Sequence, residues 1–181
     1  MGQRRLSVLD ARQVHRACGA IGAHRLRQPV APEGIEVARV VDGVDVKSYE
    51  AAFESGASLG AKGVISSVWT DDKEYYTAQF AALCDLAAQY GLTVNLEFVT
   101  WAGVWNLGGA LELLNTVKRP NARLMVDTLH TWRSKVSVEE LASCPKELFD
   151  MAHICDGPAE IPARTFLDLW AELLGKICFS Q

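Results

Sequence analysis

The sequence predicts an α/β fold in which parallel strands, each followed by a helix, curl part-way into a barrel. Two observations carry this. Five short apolar runs rich in β-branched residues, at 35–41, 63–68, 92–99, 122–127 and 149–154, start every 25 to 30 residues. They are near-continuously apolar rather than alternating, which is how strands covered on both faces read. The stretches between them carry apolar residues at helical spacing. Alternation of this kind with short connections gives right-handed β-α-β units and a parallel sheet.

The elements follow in order. Residues 1–33 contain a helix-like piece at 11–21 and no clear barrel strand, so they read as an irregular or helical lead-in to a barrel segment at 34–181. After the first run, 47–60 places Tyr49, Phe53, Gly56 and Gly60 on one stripe. After the second, 72–90 aligns Tyr76, Phe80, Leu83, Ala87 and Tyr90. Asp71 and Glu74 have capping-box spacing at its start, and Gly91 is placed to stop it. The helix at 107–118 carries Leu107, Leu111 and Leu114, with Pro120 just beyond. Ser137 and Glu140 open a shorter helix. Pro162 opens a last one through Phe166, Leu169, Trp170 and Leu173. This makes about five to six β/α units. The chain has 181 residues, whereas a complete eight-stranded barrel typically needs about 250. A partial barrel is therefore expected.

Bulk properties narrow the function. The hydrophobic fraction is 49%, the charged fraction 22% and the net charge −4. Phosphate backbones are bound by clustered Lys and Arg. The one basic stretch, between Arg4 and Arg27, is diluted by apolar residues, so no nucleic-acid partner is expected. The five cysteines (Cys18, Cys84, Cys144, Cys155 and Cys178) are odd in number and widely spaced, with no C-x-x-C. That pattern reads as free thiols in a reducing cytoplasm. No apolar run has the length of a membrane span or of a leader's apolar region, so no membrane partner is expected.

Active sites of β/α barrels lie at the C-terminal ends of the strands. Three successive runs end in polar groups there: Glu97 in Val-Asn-Leu-Glu-Phe, Asp127 in Leu-Met-Val-Asp, and His153 in Met-Ala-His-Ile. Two buried carboxylates near each other are costly unless a positive charge lies between them. No basic residue is expected at the neighbouring strand ends to pair with them. A lone histidine is more often a satisfied core residue, but His153 is third in a series. Two oxygens and one nitrogen suit Mn²⁺, Mg²⁺ or Co²⁺, and Zn²⁺ also fits. Glu36 lies within the first run, where a structural pairing is the plainer role. Trp69 and Trp101 follow strand ends, where they could wall a substrate or simply pack.

Asp127-Thr-Leu-His130 resembles the D-x-x-H strand end of the sugar phosphate isomerase/epimerase superfamily, the xylose isomerase-like barrels of TIM type. Glu97 resembles the family's preceding metal glutamate. His153, in Ala-His-Ile-Cys-Asp156, resembles its following metal histidine. The likeness covers roughly 35–158. It implies a divalent-metal enzyme acting on a ketose, sugar phosphate, inosose or other polyol by proton abstraction next to a carbonyl. Glu97 would be ligand and base together, and His130 would bond a substrate oxygen. Trp69, Trp101 and Arg164 would contact the substrate. Elimination, as in inosose or dehydroshikimate dehydratases, would use the same site. Endonuclease-IV-like hydrolysis would need further His and Glu ligands, and only four histidines exist. The family's fourth ligand is a glutamate on the last strand. After His153 this chain has only Glu160 and Glu172, neither at a strand end. The sequence thus reads as incomplete at both ends relative to the family, with a catalytically impaired barrel as the alternative. Open sheet edges would suit a homo-oligomer that covers them.

Overall fold

A computed structural model describes residues 32–160. They form five parallel strands in the order β1-β2-β3-β4-β5: β1 Gly34–Ile35, β2 Gly63–Ser66, β3 Thr93–Glu97, β4 Ala122–Asp127 and β5 Phe149–His153. Every strand pairs in parallel with its sequence neighbour. The sheet curls into part of a TIM barrel, as expected. The helix-like piece at 11–21, the helix after Pro162, and Arg164 and Glu172 lie outside the described residues.

Five helices connect the strands: α1 Glu50–Ser58, α2 Lys73–Gln89, α3 Leu107–Val117, α4 Thr128–Arg133 and α5 Val138–Ala142. The Asp72 carboxylate caps α2 by accepting from the Tyr75 N–H, one residue later than the Asp71 expectation. Gly91 takes φ +68° just past its end, a left-handed turn that glycine adopts without strain. Ser137 and Glu140 form the expected capping box of α5.

The strands have two faces with different contents. Val64, Val94, Leu96 and Leu124 point outward into one core with Phe53, Phe80, Leu83 and Ala110 of the helices. The alternate positions, Ile65, Asn95 and Met125, are buried on the inner face of the barrel. Packing of helices over the outer face aims the inner face, and the polar residues at its C-terminal end, at a single mouth.

Candidate metal centre

Glu97 ends β3, Asp127 ends β4 and His153 ends β5. Asp127 and His153 are direct register partners across the sheet. All three share the inner face. Each offers one potential ligand atom, and these atoms lie within 4.8 Å of one another.

Local structure aims these groups. Asp127 is 5% exposed and is the N-cap of α4. Its Oδ1 accepts from the backbone N–H of Leu129 (2.8 Å) and of His130 (3.1 Å). The D-x-x-H spacing is therefore a cap spacing: the N–H that the aspartate caps belongs to the histidine. The His130 ring is buried. Its Nδ1 sits 2.9 Å from Thr100 Oγ1, and Trp101 meets it edge-on at 4.9 Å between ring centroids. Trp101 is otherwise exposed.

Burial, and then the Asp127 charge, push the Glu97 carboxyl above the ordinary glutamate range; His153 and Arg39 pull weakly the other way. Burial lowers the His130 pKa, against the pull of Asp127. Among the described residues neither carboxylate has a Lys or Arg within ion-pair distance. Two crowded carboxylates, one imidazole and no compensating cation make a donor set suited to a divalent ion.

Trp69 follows β2, and its indole N–H donates to Ser67 Oγ at 2.8 Å. Arg39 lies over its ring at 5.1 Å. Glu36 is close enough to raise the Glu97 pKa slightly, while Glu160 is in an exposed loop. Sequence reasoning missed Thr100, Arg39 and Cys155. The Asp127 carboxylate beside Cys155 raises its thiol pKa. Only the position of Cys155, two residues past His153, could have flagged it.

The comparisons agree with this architecture. The family model for the xylose isomerase-like TIM barrel matches residues 4–170. No curated protein matches the sequence. A xylose isomerase-like TIM barrel/4-hydroxyphenylpyruvate dioxygenase fusion protein is similar with TM-score 0.69 and 19% identity, over 88% of this chain and 26% of that one. The IOLI protein, solved with a bound zinc atom, gives TM-score 0.61 and 21% identity, over 84% of this chain and 66% of that one. The 3-keto-D-glucoside 4-epimerase from E. coli gives TM-score 0.64 and 18% identity, over 92% and 73%. The chain thus spans between about a quarter and three quarters of these solved proteins. With strand order, barrel curvature and a family match over most of its length, the chain belongs to the xylose isomerase-like TIM barrel family.

Proposed function

We propose that Glu97, Asp127 and His153 hold a divalent metal and that the protein isomerises or epimerises a ketose or related polyol. The observation that carries this is the convergence of two carboxylates and an imidazole within 4.8 Å at three successive strand ends, with no ion-pair partner among the described residues. Mn²⁺, Mg²⁺, Co²⁺ and Zn²⁺ all accept such donors, and the zinc in the IOLI protein supports the last. A bound ion would act as a Lewis acid toward a carbonyl oxygen and acidify the adjacent C–H.

The chain's own groups supply the rest. Glu97 ends β3 half-buried, within 4.8 Å of the other proposed ligand atoms, and is the carboxylate placed to act as base beside the ion. It takes the proton from the carbon beside the carbonyl. Thr100 engages His130 Nδ1, so Nε2 is the ring atom left to meet a substrate oxygen. Trp101 gives that oxygen's sugar an apolar wall.

Calorimetric titration with the four ions tests the centre, and deuterium incorporation from D₂O into a panel of ketoses tests the proton transfer. Wild type should bind metal and exchange the C–H beside the carbonyl. Glu97→Gln should lose the exchange. If wild type takes up none of the ions, the metal reading is wrong; exchange surviving in Glu97→Gln rejects the base.

A further inference from the structure

Four arginines fall within the described residues. Three have guanidinium nitrogens engaged in hydrogen bonds. Arg119 donates twice to Asp85, at 2.7 and 2.9 Å. Arg123 donates to the carbonyls of Pro120 and Ala122. Arg133 donates to the Pro158 carbonyl. Arg39 differs: among the described residues its side chain makes no hydrogen bond and no ion pair, and its guanidinium carbon lies over the Trp69 ring, 5.1 Å from the centroid.

Everything around that side chain is held in place. The Tyr49 hydroxyl grips the Arg39 backbone, donating to its carbonyl (2.9 Å) and accepting from its N–H (3.1 Å). The flanking residues pair with β2 and its extension: Ala38 N–H donates to the Ile65 carbonyl and Val40 N–H to the Ser67 carbonyl, each at 2.9 Å. Trp69 N–H donates back to the Val40 carbonyl at 2.8 Å, and Ser67 fixes the indole. Ala38 and Val40 point outward into the helix-facing core. Arg39, between them, therefore takes the inner side with Trp69, at the mouth that Glu97 faces. Its charge is felt at Glu97.

The cation–π contact with Trp69 uses no N–H group, so the guanidinium N–H groups of Arg39 have no hydrogen-bond partner among the described residues. Those groups have the fork geometry that matches a phosphate or carboxylate. Holding both arginine and platform beforehand lowers the ordering cost of binding an anion. We propose that Arg39, laid on Trp69, binds an anionic substituent of the substrate, so that the preferred substrate is a ketose carrying a phosphate or carboxylate rather than a neutral sugar. This rests on the function proposed above and names the substrate class for that site.

The test compares three probes on the metal-loaded protein by calorimetry: D-fructose, D-fructose 6-phosphate and D-fructuronate. Metal titrations run in parallel on wild type, Arg39→Met and Arg39→Lys. Wild type should prefer one anionic probe to fructose by about tenfold or more, the worth of a charge-assisted pair of hydrogen bonds. Which probe wins separates phosphate from carboxylate. Arg39→Met should erase about tenfold of that preference, and Arg39→Lys should restore part of it, since it keeps charge but not the fork. Lack of preference in wild type, or equal weakening of all three probes in Arg39→Met, overturns the inference while metal uptake leaves the proposed centre standing. The latter pattern would mean that Arg39 only supports Glu97. Failure of wild type to take up metal removes the centre and this inference together.

Discussion

In the metal-free protein, Glu97→Gln should raise stability, and in the metal-loaded protein it should lower it. Glu97 and Asp127 present ligand oxygens within 4.8 Å of each other. Two unit charges at that separation repel by about 3.5 kcal/mol at an effective dielectric constant near 20, and by about 1 kcal/mol in water. Glu97 is half-buried, so solvent screening brings the expected gain to about 1–2 kcal/mol. The sign follows from its raised pKa. A carboxyl that holds its proton more tightly when folded favours the folded state below the ordinary glutamate pKa. That contribution is lost as pH rises through the raised value. The gain from Glu97→Gln should therefore be largest near pH 8 and disappear in acid, where wild-type Glu97 is protonated as well.

Thermal melts followed by circular dichroism, in chelator and in saturating metal, read this directly. For a chain of this size about 1 kcal/mol moves Tm by about 2–4 °C. The variant should melt about 2–8 °C higher in chelator near pH 8. With metal at a hundred times its Kd, wild type gains about 2.7 kcal/mol, the variant gains far less, and the order inverts. A variant less stable than wild type in chelator at every pH would refute the reasoning. It would mean that the Glu97 carboxylate makes a structural bond worth more than its repulsion.

Three further outcomes follow from particular contacts. Asp127→Ala and Asp127→Asn both remove the charge and should both lose metal in titration. Only asparagine can still accept from the Leu129 and His130 N–H groups, so the alanine variant should be less stable by about 1 kcal/mol in urea. Gly103→Ala would place a Cβ 2.0 Å from the Thr70 carbonyl oxygen. The backbone must move, at a cost of about 1–3 kcal/mol; a change under about 0.5 kcal/mol would show that the close approach is absent. Cys84 is fully buried, and burial pushes its thiol up to about 12. Mass-mapped alkylation near pH 8 should leave it unmodified until the protein unfolds.

Much of the fold was legible because its signals are local. The 122–127 strand was bounded correctly by Pro120 before it and by Asp127 after it, a proline turn and a helix cap. The start of α2 was misplaced by one residue because Asp71 and Asp72 are adjacent and chemically equal, and only the bond to Tyr75 chooses between them. Helix α4 was not read: six residues are too few to show a period. Of the site, the triad was legible because each member ends an apolar run. Arg39 with Trp69 and Thr100 with His130 were not, because each pair joins residues 30 apart on adjacent strand ends. Only sheet register brings them together, and register is not written in a window.

The D-x-x-H motif shows why part of the site could be read at all. Its spacing is set by backbone hydrogen bonding before any chemistry is considered. Asp127 at the N-cap must accept from the N–H groups two and three residues on, which fixes its carboxylate at the C-terminal end of β4. The third residue is then carried to the same end of the sheet by the first turn of α4, where Thr100 and Trp101 meet its ring. A change that unwinds this turn therefore displaces the candidate metal carboxylate and the candidate substrate histidine together. Glu97 has no such cap; it ends β3 with no hydrogen bond or ion pair to its carboxylate among the described residues. Among the described residues, the group proposed to move a proton is thus the one left without a partner, and the groups proposed to hold still are the ones the backbone ties down.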